Sequence, residues 1–241
     1  MLDSATTIRS IVADDFRAAA VFERHGIDFC CGGHRPVAEA CSELGLDPAV
    51  VARDLETALA QAGTDAPRFN TWDLDLLTGY IVANHHGYVR QAIDALRAHT
   101  RKVADVHGDN HPEVRAIADR FEALAAELAG HMAREEQVLF PYVNALAQSQ
   151  RGGPVPSAPF GTVGNPIRMM EIEHQSAGDE MASIRKLSGG YVPPADACTT
   201  YRVTYQELLA FEADLHRHVH LENNILFPKA LALERQVSGQ A

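Results

Sequence analysis

Apolar residues recur along this chain at helical spacing, in four long segments that follow a shorter, more broken region. The first segment carries Leu74, Leu77, Ile81, His85, Tyr88 and Ala92 on one face. The second carries Ile117, Phe121, Leu124, Leu128, His131, Glu135, Val138 and Tyr142, and the third Ile167, Met170, His174, Ala177, Met181 and Ile184. The fourth shows Tyr201, Tyr205, Leu208, Leu215, His218, Glu222 and Ile225. Separations of three and four residues place such side chains on one face of a helix. Two connectors rich in Gly, Pro and Ser, RGGPVPSAPFGTVGNP and SGGYVPPADA, separate the second helix from the third and the third from the fourth. Four amphipathic helices with short links predict an all-α, up-and-down four-helix bundle.

The region before the bundle reads differently. Ile8, Ile11, Val12, Phe16 and Phe22 predict short helices leading to a turn, GIDFCCGG, at 26–33. Asp47 followed by Pro48 predicts a helix start, with Val51, Leu55 and Leu59 as its apolar face. Gly63 to Pro67 marks a boundary. The expected organisation is a small helical module over residues 1–65 and the bundle over 66–241.

The apolar stripes carry residues that do not belong in a plain core. Two copies of one pattern occur, HMAREEQVLFP from His131 and HVHLENNILFP from His218. In each, a His is followed four residues later by a Glu and nine later by Phe-Pro. A further His precedes each, His85 by 46 residues and His174 by 44. A lone His on an apolar stripe is usually a packed core residue, but Glu is almost never buried without a partner. Four His and two Glu on four stripes, with the spacing duplicated, predict a metal site. A His and a Glu one turn apart can reach the same ion or adjacent ions, and a carboxylate can bridge two of them. Six or seven nitrogen and oxygen donors with two carboxylates exceed what one zinc ion needs, so the expectation is a dinuclear site of iron, or else manganese.

Glu127, four residues before His131, and Glu173, immediately before His174, are candidates to orient a ligand imidazole or carry protons, or else are surface carboxylates. By periodicity His86, His99, His111, His216 and His220 fall off the stripes and face solvent, and His107 reads as a loop residue. Cys30 and Cys31, flanked by Gly32 and Gly33, are adjacent thiols. A disulfide between them would be strained and easily reduced, suited to redox cycling, or the thiols could capture soft metals or nitrosyl groups. The alternative is two small residues at a tight turn. Cys41 and Cys198 are expected to be packing residues.

The 241 residues carry a net charge of −11, which disfavours nucleic acid and anionic membranes as partners. No apolar run approaches the roughly 18 residues that cross a bilayer, and MLDSATTIRSIVADD lacks the order of a signal peptide. The expected location is the cytoplasm, with the four cysteines as thiols.

GIDFCCGG in an N-terminal module followed by HMAREEQVLFP and HVHLENNILFP resembles the RIC proteins, named for repair of iron centres, which join an ScdA-type N-terminal domain to a hemerythrin-like domain. The resemblance runs from about Ile8 to Leu233. It implies two non-haem iron ions, oxo- and carboxylate-bridged, and a role in restoring iron–sulfur clusters damaged by nitric oxide or peroxide. Carried over to this sequence, the ligands are His85, His131, Glu135, His174, His218 and Glu222, with Glu135 and Glu222 bridging. The stretch VADVH adds His107 as a seventh. His86 stands where the family often has a carboxylate, which leaves open an exchange of roles between His85 and His86. Cys30 and Cys31 become a dithiol for iron or nitric oxide handling.

The implied partners are damaged or apo iron–sulfur proteins, with NO or O2 as small ligands, an unidentified electron donor, and a monomer or homodimer. Reduction of NO to nitrous oxide is a further possible activity. The competing expectation is a hemerythrin-type carrier or sensor of O2 or NO without turnover.

Overall fold

The computed structural model describes residues 6–60 and 67–238; most of the 63–67 boundary lies outside the described residues. Four short helices come first: α1 (Ile8–Asp14), α2 (Arg17–Arg24), α3 (Val37–Leu44) and α4 (Pro48–Ala60). The start of α4 is as expected, with the Asp47 carboxylate accepting from the Ala49 N–H at 2.9 Å. Four long rods follow. The first joins α5 (Leu74–Tyr80) to α6 (Gly87–His107), and the second joins α7 (Glu113–Arg134) to α8 (Phe140–Gln150). The third is α9 (Gly164–Leu187), and the fourth joins α10 (Thr199–Leu221) to α11 (Phe227–Val237). The described residues are all-α, without a strand.

Each of the three composite rods is joined by a π-helical turn, at Ile81–His86, Glu135–Leu139 and Glu222–Leu226. Every one closes with an N–H bonded five residues back: Gly87 to Val82, Phe140 to Glu135, Phe227 to Glu222. A π turn inserts one residue into the helical period and rotates everything after it. The stripe of the first rod therefore runs Ile81, His86, Val89, Ile93, Leu96, and not through Tyr88 and Ala92, which are only partly buried. The second rod shifts likewise: Leu139 and Val143 are buried, while Val138 is 46% exposed. The Phe-Pro of each repeated motif has its reason here. Pro lacks an N–H and its ring collides with the carbonyl four residues back, and the widened turn just upstream accommodates it.

The α9 rod has no such turn, and its buried face is the expected one from Ile167 to Ile184. The buried apolar residues form two clusters. One includes Phe69, Leu77, Leu146, Ile167 and Leu233; the other includes Leu96, Phe121, Met181 and Phe211 and continues into Ile8, Phe22 and Val51 of the N-terminal helices. The N-terminal module thus shares a core with the bundle. Between the two clusters lies a layer of buried polar residues.

Candidate metal centre

The polar layer consists of His86, His131, His174, His218, Glu135 and Glu222, all buried. Their donor atoms fall into two groups: His86, Glu135, His218 and Glu222 in one, His131, Glu135, His174 and Glu222 in the other. Within each group the atoms lie within 4.8 Å of one another. The two carboxylates belong to both groups. In the first, Nε2 of His86 and Nε2 of His218 are 3.2 Å apart; in the second, those of His174 and His131 are 3.0 Å apart.

Polar atoms this deep are normally satisfied, since an unpaired one costs about 1–3 kcal/mol. Yet both oxygens of Glu135 and Oε2 of Glu222 have no hydrogen-bond partner. The nearest imidazole nitrogens approach at 3.1–3.3 Å, off the hydrogen-bonding direction. Such a set fits two cations with bridging carboxylates. The electrostatics agree. Burial and Glu222 push Glu135 towards protonation, but His131 and His86 hold it below the usual carboxylate range. Burial likewise opposes ionisation of Glu222, and His218 and His174 hold it well below that range. Burial lowers His218, whereas in His131 it is outweighed by Glu135, Glu222 and Glu173, which raise the imidazole to about 9.

The other ring nitrogens are held from outside. Nδ1 of His86 lies 2.6 Å from Glu136, Nδ1 of His131 lies 2.7 Å from Glu173, and Nδ1 of His174 lies 2.8 Å from the Asn223 carbonyl oxygen. Such partners fix the orientation of a ligating imidazole. Glu173 is itself paired with Arg134 at 2.6 Å. Glu127 reaches no imidazole; it is exposed and lines a cleft of about 420 Å³ between α7 and α9, whose inner wall includes His131 and His174. The cleft therefore runs alongside the buried centre, against His131 and His174.

Two expected ligands stand elsewhere. His85 is outside both groups: its Nδ1 pairs with Asp214 at 2.9 Å and its ring stacks on His218. The π turn supplies the reason, since it carries the stripe from Ile81 to His86. Periodicity alone had placed His86 in solvent, and His220 too is buried. His107 ends α6, about 20 residues and so about 30 Å along the rod from His86. It contacts Cys198, which is exposed and no packing residue. Glu136, Asn223 and Asp214 were not anticipated. Glu136 and Asn223 directly follow Glu135 and Glu222, the two carboxylates common to both donor groups, in sequence, which was their signal.

The Cys30–Cys31 turn is built by Asp28. Its carboxylate accepts from the N–H groups of Cys30, Cys31 and Gly32 at 2.9, 3.0 and 2.9 Å, and from the Cys30 thiol at 3.2 Å. Both thiols are free. Proximity to Cys31, burial and Asp28 push the Cys30 thiol well above its ordinary range. With Asp28 they form a third set of possible metal donors, at the edge of a cavity of about 290 Å³ that Asp179, Arg185 and His216 also line. The turn docks on the fourth rod. Asn224, in the same π turn as Glu222, donates to the carbonyls of Phe29 and Cys30. A Cβ on Gly33 would lie 2.6 Å from Asn224 Oδ1.

The two units have matching families. Residues 4–59 match the ScdA_N model, described as a domain of unknown function (DUF542), and residues 79–230 match the hemerythrin HHE cation binding domain. The iron-sulfur cluster repair protein YtfE of Yersinia pseudotuberculosis serotype O:1b (strain IP 31758) is 35% identical over 218 residues, 89% of this chain and 91% of that protein. The chain belongs to the YtfE family. The YtfE of Yersinia pestis (strain Pestoides F) is 34% identical over the same extent. As a YtfE-family member the chain pairs a cation-binding bundle with an ScdA_N module, and no helix among its described residues is long and apolar enough to cross a membrane.

Proposed function

We propose that this protein repairs iron–sulfur clusters damaged by nitrosative or oxidative stress, through two non-haem iron ions held by His86, His131, His174, His218, Glu135 and Glu222. The observation that carries this reading is the pair of four-residue donor groups sharing Glu135 and Glu222. The names of its relatives, iron-sulfur cluster repair proteins, support the repair role. Bound there, the ions would supply binding positions for small ligands and a store of iron for apo or damaged clusters.

The protein's own residues do the rest. Glu135 and Glu222 neutralise part of the cationic charge in a buried layer. Glu136, Glu173 and Asn223 keep the imidazoles aimed inward. The cleft between α7 and α9 admits NO or O2, and its rim, with Glu127, Glu173 and Arg134, offers carboxylates to a departing cation. The client is an apo or damaged iron–sulfur protein, in a reducing compartment such as the cytoplasm, where the free thiols persist. Reduction of two NO by two electrons and two protons to N2O and water is the reaction such a centre supports, with an external electron donor.

The test is metal content and Mössbauer spectra of anaerobically purified protein, followed by transfer to an apo-ferredoxin. Two irons per chain and recovery of the cluster are expected. A single tetrahedral zinc would overturn the reading.

A further inference from the structure

At one end of the bundle, far from the buried histidine and glutamate layer, the turn between α6 and α7 faces the connector that leads into α10. The turn bears His107 and His111, three residues intervening, and the connector bears Asp196 and Cys198. Nε2 of His107 lies 3.1 Å from the Cys198 sulfur, and Nε2 of His111 lies 3.1 Å from both Asp196 oxygens. The two imidazole centroids are 6.5 Å apart. Both rings pack on buried Tyr201, at 5.2 and 5.9 Å. On its other side, Nδ1 of His111 lies 3.3 Å from Glu113, the carboxylate–imidazole arrangement that orients a metal-binding histidine. Contact with His111 holds the Asp196 carboxyl below its usual range against slight burial, and the charge of His107 adds to the effect. The four side chains thus stand as two pairs, His107 with Cys198 and His111 with Asp196, at one corner, and the two pairs have not closed on each other as the donors of the buried layer have.

We propose that His107, His111, Asp196 and Cys198 form a second metal site, for one tetrahedral divalent ion of the zinc class. Two imidazoles, a thiolate and a carboxylate make a four-donor set of borderline softness. That suits zinc, or cobalt as its spectroscopic substitute, and not magnesium or calcium, which take oxygen donors.

The distances show how far the corner must move. With metal–sulfur and metal–nitrogen bonds of about 2.3 and 2.0–2.1 Å, the edges of a tetrahedral site are about 3.3–3.5 Å. Each 3.1 Å pair need open by only a few tenths of an ångström. Two imidazoles on one ion have centroids about 5 Å apart, so the pairs must also close on each other by about 1.5 Å. That closure falls to the half-buried imidazoles of His107 and His111, turning on Tyr201, and the exposed Asp196 and Cys198 side chains rotate to follow. A bound ion would tie the α6–α7 turn to the connector, at a point where the first and fourth rods are joined by no covalent link.

The test is an anaerobic cobalt(II) titration of the full chain, comparing wild type with Cys198→Ser, His107→Gln and the Cys30→Ser/Cys31→Ser double variant. We expect a sulfur-to-cobalt charge-transfer band with tetrahedral d–d bands. They should be lost in Cys198→Ser and His107→Gln and kept in the double variant. Zinc should raise Tm in wild type more than in Cys198→Ser, with the same helical content by circular dichroism. Bands that persist in Cys198→Ser, or no tetrahedral thiolate bands at all, would overturn the proposal.

Discussion

The amide of Asn224 donates to the main-chain carbonyl of Cys30 at 3.0 Å, from within the π turn that begins at Glu222. Three consecutive residues of that turn point to three places. Glu222 faces the donor layer, Asn223 holds His174, and Asn224 holds the dithiol turn. Replacing Asn224 by Ala removes both hydrogen bonds to the dithiol turn and a third to Nδ1 of His220, worth about 1.5–4.5 kcal/mol together. Cys30 should then alkylate several-fold faster while the bundle keeps its metal, as read by mass-resolved thiol labelling beside metal analysis. Unchanged labelling would show that the turn is held by Asp28 alone.

Gly33 tests the same contact from the other side. A methyl there would meet Asn224 Oδ1 and the Phe29 carbonyl at 2.6 Å each, so Gly33→Ala should lower stability by about 1–3 kcal/mol through strain. Chemical denaturation of the purified variant checks this, and a wild-type midpoint would contradict the packing described.

Substituting His86 and His85 separately decides the register of the first rod. His86→Gln should cut the metal content by at least one ion per chain. His85→Gln should retain both, because His85 pairs with Asp214 outside the donor groups. The reverse result would return His85 to the ligand set.

Glu135→Leu removes a shared bridge and fills its space with a side chain of similar volume. Metal should fall below one ion per chain by elemental analysis. The apo bundle should be less stable than wild type near neutral pH, because the buried imidazoles of His131 and His86 lose the carboxylate they pair with. Two ions retained in Glu135→Leu would sink the bridging role.

Metal loading should depend on pH. His131 is held at about 9 by Glu135, Glu222 and Glu173 against burial, so near neutrality its imidazole carries a proton that a cation must displace. Raised pH favours loading, and acid opposes it. From this group alone, apparent affinity should rise about tenfold per pH unit between about 6 and 8. Calorimetry in buffers of different ionisation enthalpy would register the released proton, and a pH-independent affinity would contradict the shift.

Much of this was legible in the sequence because burial enforces a period. The four rods, the His131/Glu135 and His218/Glu222 pairs and His174 all follow from side chains three or four residues apart, and the start of α4 from the Asp47–Pro48 cap. What failed is equally specific. An α-helical period carried on from Ile81 lands on His85, whereas the π turn adds a residue and lands on His86; the same error put Val138 on the buried face. For the second rod the cue was Phe140-Pro141, a sign that the upstream backbone must open, but the first rod carries no Pro and no such cue. Contacts between distant segments, such as His107 with Cys198 or His85 with Asp214, leave no periodic trace.

The donor layer sits between two apolar cores, and each clamps the rods on its own side. Such a barrel has bulkheads fore and aft of its hold. Cargo can be taken on or discharged amidships while the hull keeps its shape, so a protein made this way can surrender a cation without surrendering its fold.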